Sequence, residues 1–229
     1  FTNYTDKEGL AKGTVYWICC DKDNTLWFAV QEGGLIRYDG ETFKAYTTKD
    51  GLPSNNVFSV VQDLKGDFWM GISNGIAKFD GTRIISYDKE AESNNKTFFS
   101  SLVDSRGNVW FGGANENGVL KYDGKKFQPL DLPDEVANDF IGSIAEDKFG
   151  NMWFATDHGA LKYDGRTFTL FNEKKGLSSN GAMSVNTDYE GNIWIGTLGG
   201  GINLFSNEAF VNYTEKDGLT SNKTSNILR

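Results

Sequence analysis

Short apolar stretches alternate with glycine-rich polar turns along the whole chain, and this pattern repeats about every 42 residues. The most regular position is a tryptophan that follows an aspartate by six residues and precedes Gly or Ala by two. It recurs at Trp27, Trp69, Trp110, Trp153 and Trp194, with intervals of 42, 41, 43 and 41 residues. A period of this length, made of short strands and tight turns, is typical of β-propeller blades.

Each repeat predicts four strands, a to d. In the second repeat we expect them at residues 57–62, 67–71, 76–79 and 83–87, with Asp80-Gly81 as a hairpin turn between strands c and d. The distance from the tryptophan to the aromatic residue of strand c varies between 10 and 12 residues, so the length changes fall in the b–c loop. Variable loops on a constant scaffold often carry binding. Because the b–c and d–a loops of a propeller share one face, that face is the candidate site.

We therefore predict an all-β fold, a β-propeller of four-stranded antiparallel blades. It has five complete blades, an N-terminal d strand at 1–4 and a C-terminal a strand at 224–228, and is a fragment of a ring of six or more blades. Residues 1–229 form a single propeller domain or part of one. The repeats span approximately 1–42, 43–83, 84–126, 127–167 and 168–209, with a partial repeat at 210–229. The five tryptophans are expected in the core.

The amino-acid composition disfavours several classes of function. The net charge is −8 and Lys and Arg form no cluster, which disfavours nucleic-acid binding. No apolar run reaches the length of a membrane span, so we expect no direct membrane insertion. Asp21-Lys-Asp23-Asn24 is the nearest approach to a calcium loop and lacks the remaining ligands. We predict no metal, no cofactor and no catalytic residue.

The segments Asp50-Gly-Leu-Pro-Ser-Asn55, Gly176-Leu-Ser-Ser-Asn180 and Asp217-Gly-Leu-Thr-Ser-Asn222 precede the a strands. Together with the aspartate–tryptophan turn, they resemble the two-component regulator propeller repeat. That repeat is typical of periplasmic sensor regions of hybrid two-component systems, especially in Bacteroidetes. The resemblance implies a non-catalytic, carbohydrate-sensing domain that is periplasmic or extracellular, with a small glycan or oligosaccharide as ligand. A homodimer of the intact sensor is left open. The middle repeats depart from the pattern, with Glu92-Ser93 and Glu135-Val136 in place of Gly-Leu.

Two aromatic candidates stand out on the predicted face. Trp17 occupies a strand-a position that holds serine in the next four repeats, and it either stacks on a sugar ring or fills a gap beside Cys19. His158, the single histidine, lies in a b–c loop beside Asp157. The full set of ligand-binding candidates is Trp17, Glu32, Asn56, Asn74, Lys96, Asn115, Glu116, Asn117, Asp139, Asp157 and His158. A solvated surface role is the alternative for each polar member.

Two other functions remain open. A propeller enzyme acting on glycans, as a lyase or hydrolase, needs either histidine chemistry or a carboxylate pair about 5–9 Å apart. Glu32, Glu116, Asp139 and Asp157 are the carboxylates from which such a pair could come. A protein-interaction scaffold would instead present a contiguous apolar patch on the loop face.

Overall fold

The computed structural model describes residues 2–93, 96–206 and 208–227, which form five four-stranded antiparallel sheets. Blade 1 consists of β1 (Val15–Cys20), β2 (Leu26–Val30), β3 (Gly34–Tyr38) and β4 (Phe43–Tyr46). Blade 2 consists of β5 (Val57–Gln62), β6 (Phe68–Ile72), β7 (Gly75–Phe79) and β8 (Ile84–Ser86). Blade 3 consists of β9 (Phe98–Val103), β10 (Val109–Gly113), β11 (Val119–Tyr122) and β12 (Phe127–Pro129).

Blade 4 consists of β13 (Ser143–Glu146), β14 (Met152–Thr156), β15 (Gly159–Tyr163) and β16 (Phe168–Phe171). Blade 5 consists of β17 (Ala182–Thr187), β18 (Ile193–Thr197), β19 (Gly201–Ser206) and β20 (Ala209–Tyr213). Short 3-10 helices lie at Thr48–Asp50, Asn115–Asn117, Glu173–Lys175 and Glu215–Asp217. In every sheet the strands pair in chain order. The predicted all-β propeller blades, five in number, are confirmed.

The register explains the small residue that follows each tryptophan by two positions. In blade 2, Trp69 pairs with Val61 and Lys78, and Gly71 pairs with Ser59 and Ile76. A Cβ atom at Gly71 would lie 2.5 Å from the carbonyl oxygen of Phe98 on the first strand of blade 3. Neighbouring blades therefore approach so closely here that only a residue with little or no side chain fits.

By its contacts the chain divides into two compact units. Unit 1 comprises residues 1–111 and 120–128, and unit 2 comprises residues 112–119 and 129–229. Unit 1 contains two apolar cores, one around Trp27, Val60 and Met70 and the other around Trp69 and Phe98. Unit 2 has a core around Trp153, Val185 and Ile195. Within each unit the first strands of successive blades pack against one another, as β1 does on β5 and β13 on β17.

The prediction of a strand at the N-terminus is wrong for its described part. Phe1 lies outside the described residues, and residues 2–5 form no strand. The ring of Tyr4 nevertheless packs 5.4 Å from that of Tyr38, much as Tyr46 packs 4.7 Å from Phe79 in the next repeat. The segment therefore makes the side-chain contact expected of a d strand. No described c strand lies beside it with which it could form the hydrogen bonds of a ladder.

The C-terminal a strand is likewise wrong over residues 224–227, and Leu228 lies outside the described residues. The segment makes one isolated bridge, between Lys223 and Leu198, and the Thr224 amide donates to the carbonyl of Thr197 at 3.1 Å. The same hydrogen bond joins Ile141 to Gly113 at 2.8 Å between blades 3 and 4. Residues 224–227 therefore lie where a first strand begins, with no described b strand alongside to continue the pairing.

The prediction that all five tryptophans are core residues holds for four of them. Trp27, Trp69, Trp110 and Trp153 are at most 4% exposed, whereas Trp194 is only partly buried. Trp153 packs against Phe171 of its own blade and Phe205 of the next. Trp194 packs against Tyr213 of its own blade. Trp194 is more exposed because no following blade covers its outer side within the described residues.

Candidate functional site

The a–b turn is the same in all five blades. Its aspartate caps the backbone of the turn, and its second carboxylate oxygen accepts a hydrogen bond from the indole Nε1 of the tryptophan six residues later. The Asp–Trp distances are 2.8 to 3.0 Å in the pairs Asp21–Trp27, Asp63–Trp69, Asp104–Trp110, Asp147–Trp153 and Asp188–Trp194. Burial opposes the charge of Asp188, but the hydrogen bonds from Trp194, Asn192 and the turn backbone outweigh it and lower its pKa to about 2. These aspartates are structural acceptors that join turn to core.

In unit 1, the candidate loops are joined by a structural hydrogen bond. The side-chain oxygen of Asn56, in the d–a loop, accepts from the backbone N–H of Glu32, in the b–c loop, at 2.9 Å. Glu32 has a positive φ of 66° and Asn74, at the equivalent turn of blade 2, has 69°. Both side chains are exposed, while Lys96 is partly buried. Asn56 therefore holds a loop together, and Glu32 and Asn74 occupy tight turns.

Trp17 lies on β1, partly buried, and packs against the first core of unit 1 together with Cys19. Four other blades place Ser59, Ser100, Ser143 or Ser184 at this position. This packing is the gap-filling role that the sequence offered as the alternative to sugar stacking. A ligand role for Trp17 stays a prediction.

In unit 2, His158 is paired with a carboxylate, and the partner is Asp139 rather than the neighbouring Asp157. The His158 ring nitrogen Nδ1 lies 2.7 Å from Oδ1 of Asp139, and the His158 backbone N–H donates to Oδ2 at 3.0 Å. The Asp139 side chain is 5% exposed and that of His158 is 63% exposed. A carboxylate accepts hydrogen bonds, so the pair places a hydrogen on Nδ1, and Nε2 of the exposed ring has no partner among the described residues.

Asp157 connects two loops through a hydrogen bond to the backbone. Its Oδ2 accepts the backbone N–H of Phe140 at 3.0 Å, which joins the b–c loop of blade 4 to the preceding d–a loop. Asn115, Glu116 and Asn117 form the short 3-10 helix of the b–c loop of blade 3, also in unit 2, with Asn115 and Glu116 exposed. Of the six candidates in this unit, the structure places Asp139, Asp157 and His158 in one hydrogen-bonded group.

A pocket of about 400 Å³ opens beside this group. It is lined by Glu135, His158, Leu170, Asn172, Glu173, Lys174 and Asn180. All of these residues belong to unit 2 and lie in the d–a loops, the b–c loop and the last strand of blade 4. Most are polar or charged, and Leu170 supplies a partly buried apolar wall.

Six of these seven lining residues were missed by the sequence reasoning, which selected only His158. The side-chain oxygen Oδ1 of Asn172 is buried and has no hydrogen-bond partner among the described residues. Such an orphan acceptor costs about 1–3 kcal/mol and calls for an explanation in a native structure. The sequence did contain a signal that could have identified Asn172, because two other repeats carry threonine at the equivalent position, Thr47 and Thr214.

The carboxylates considered for glycosidase chemistry are not a free pair in this unit. Asp139 is buried against His158, and Asp157 accepts a backbone N–H. Over the described ranges no group of three metal-binding side chains is present. No helix in the described part of the chain is long and apolar enough to cross a membrane.

Comparison with known proteins extends these observations. The family model for the two component regulator propeller matches residues 9–32 and 135–158. The second match contains both Asp139 and His158. No curated protein matches the chain.

Solved structures share the fold. The extracellular domain of a protein assigned to the one-component systems of B. thetaiotaomicron aligns with a TM-score of 0.70 and 24% identity, covering 83% of this chain and 27% of that one. A second structure of the extracellular domain of that same protein, described there as a hybrid two-component system, aligns with a TM-score of 0.66 and 18% identity, covering 92% and 37%. A catalytically inactive virginiamycin B lyase from Staphylococcus aureus, solved with quinupristin, aligns with a TM-score of 0.74 and 16% identity, covering 92% and 72%.

At these identities the alignments show the fold, and the chain spans between 27% and 37% of the two sensor-domain structures. The family matches are more specific, because they fall on the turns and strands that define the repeat. The resemblance predicted from the sequence is confirmed, because residues 9–32 and 135–158 match the two-component regulator propeller repeat.

Proposed function

We propose that this chain is a ligand-binding part of a signalling sensor, that it works in the periplasm or outside the cell, and that its ligand is a small glycan or oligosaccharide. The family matches and the extracellular sensor domains of similar fold support the signalling role. The observation that carries the binding role is the His158–Asp139 pair, which holds Nε2 of an exposed imidazole at the edge of a polar pocket.

The chemistry of this pocket suits a sugar. Hydroxyl groups both donate and accept hydrogen bonds, and the pocket offers carboxylate, amide and imidazole groups within one small volume. Ligand binding would favour one arrangement of the intact sensor over another, and a homodimer is the assembly in which we expect that bias to act. The size of the signal is then set by the difference in ligand affinity between the two arrangements.

The test is thermal-shift screening of the chain against a panel of oligosaccharides. A ligand present at 100 times its Kd stabilises the folded state by about 2.7 kcal/mol, which such a screen detects. We expect a dose-dependent shift that His158→Ala removes and that Glu190→Gln, an exposed a–b turn residue outside the pocket, retains. If a well-folded sample responds to no saccharide, the binding role is wrong.

A propeller enzyme is the second candidate, and the same pair favours it. A carboxylate-oriented imidazole with a free Nε2 is the arrangement of a general base, and the lyase of similar fold shows that this architecture can carry catalysis. Product analysis after incubation with the same panel separates the two candidates. Turnover that His158→Ala abolishes would establish the enzyme, whereas binding without turnover would leave the sensor.

A further inference from the structure

The pocket is bordered by one of three d–a turns that share a framework. The turns begin at Thr47, Asn172 and Thr214, and each contains a three-residue 3-10 helix and ends in a left-handed glycine. In each, an asparagine eight residues after the first position accepts, through its side chain, the N–H of the first helical residue. These bonds are Thr48–Asn55, Glu173–Asn180 and Glu215–Asn222, at 2.7 to 2.9 Å.

The turn beside the pocket differs from the other two at its cap. Thr47 and Thr214 accept a backbone N–H and are held in turn by Asp50 and Asp217, a reciprocal capping box. Asn172 makes no cap hydrogen bond, and Lys175 stands in the position of the aspartate. The turn nonetheless keeps its backbone shape, so the cap is dispensable for the fold here, and Asn172 is left with an unpaired carbonyl.

The groups around this pocket are mainly hydrogen-bond acceptors. Glu135 and Glu173 are carboxylates, and Asn172 adds the side-chain oxygen Oδ1, which has no hydrogen-bond partner among the described residues. Asp139 contributes a further negative charge behind His158. Lys174 is the one cation among the lining residues, against the two carboxylates of Glu135 and Glu173, and all three side chains are exposed.

An acceptor-rich, negatively charged pocket recognises a ligand that brings donors and a positive charge. We infer that this pocket binds an amine-bearing saccharide, with the ammonium group facing Glu135 and the side-chain oxygen of Asn172, and a ring hydroxyl hydrogen-bonded to Nε2 of His158. Leu170 lies against the apolar face of the sugar ring. The saccharide part of this inference rests on the proposed function, and the amine is the new element.

The experiment compares three matched tetrasaccharides by NMR titration of the isotope-labelled chain: the β-1,4 tetramer of glucosamine, its N-acetylated counterpart, and the corresponding glucose tetramer. We expect the glucosamine tetramer to bind at least about tenfold more tightly than either neutral one, equivalent to about 1.4 kcal/mol. Chemical-shift changes should centre on the backbone amides of residues 135, 158, 172 and 174.

Two variants locate the amine. Glu135→Gln should bring the affinity for the glucosamine tetramer close to that for the neutral tetramers, and Glu190→Gln should leave the preference unchanged. Asn172→Thr restores the first residue of the other two turns without changing the charge around the pocket, so it should fold normally and weaken the preference. Equal affinity for charged and neutral tetramers would overturn the inference and leave the proposed function standing. Binding of none of the three would also overturn the inference, whereas the proposed function fails only if the whole saccharide panel gives no thermal shift.

Discussion

The a–b turns and the d–a turns of this molecule differ in how strictly they repeat. The a–b turn makes the same aspartate–tryptophan hydrogen bond in all five blades. The d–a turn keeps its backbone in the three cases compared above but changes its cap, from threonine with aspartate to Asn172 with Lys175. A contact repeated without exception indicates a scaffold requirement, whereas a local rule broken beside a pocket indicates a functional constraint.

The largest effect should come from removing a scaffold tryptophan. Trp153 is fully buried, so Trp153→Ala is expected to lower the free energy of unfolding by about 3–5 kcal/mol. Trp194 is only partly buried, so Trp194→Ala should lower the free energy of unfolding by clearly less. Urea denaturation of both variants measures the difference, and equal losses would contradict the burial argument.

Removing the aspartate that accepts the hydrogen bond from this tryptophan should have the second-largest effect on stability. Asp147→Ala leaves the indole N–H of Trp153 and the backbone N–H groups of Phe149 and Asn151 without their acceptor. We expect a loss of about 2–3 kcal/mol of unfolding free energy. Asp147→Asn retains one acceptor oxygen and should lose less. An alanine variant as stable as the parent chain would show that the repeated bond is not a scaffold requirement.

Restoring the cap of the d–a turn beside the pocket should instead increase the stability of the chain. Asn172→Thr combined with Lys175→Asp rebuilds the cap of Thr214 and Asp217 and removes the orphan carbonyl, so we expect about 1 kcal/mol of added stability. The matched change Thr214→Ala should destabilise by about the same amount. Thermal denaturation measures both. If the double variant is destabilised, the present cap is required for folding, and the contrast between the two kinds of turn fails.

A smaller and pH-dependent effect is expected at Asp188. Its folded-state pKa of about 2 lies below the ordinary value, so its ionised form stabilises the fold above about pH 4, and this contribution is lost as the pH falls from about 4 to 2. Asp188→Asn should therefore flatten the acid limb of a plot of unfolding free energy against pH. Parallel limbs for the parent chain and the variant would contradict the assignment.

Much of the scaffold could be predicted because it depends on local spacing. The Asp–Trp interval of six residues and the small residue after each tryptophan placed the turns and strands, and the first strand of blade 2 begins and ends where expected. The strand predictions failed at the two ends, where a strand needs a neighbour that the local pattern does not reveal. Trp194 departs from its repeat partners for a similar reason, since its burial depends on what covers it.

The candidate site was predicted only in part. His158 and Asp139 were both selected as candidates on the loop face, but the sequence did not show that they form a pair. The actual pair spans 19 residues and arises because a d–a loop and the following b–c loop meet. Glu135 and Asn172 depart from the repeat pattern in the sequence, but that departure does not show that they line one pocket with Lys174.

By itself the sequence determined the blade architecture, the repeated aspartate–tryptophan turn and the family resemblance, because each depends on residues a few positions apart. Only the tertiary structure decided which carboxylate holds the histidine, which amide is left without a donor, and which charges share a pocket. Those outcomes depend on contacts between loops distant along the chain, and the periodic pattern constrains where the loops start and end but not which side chains they bring together.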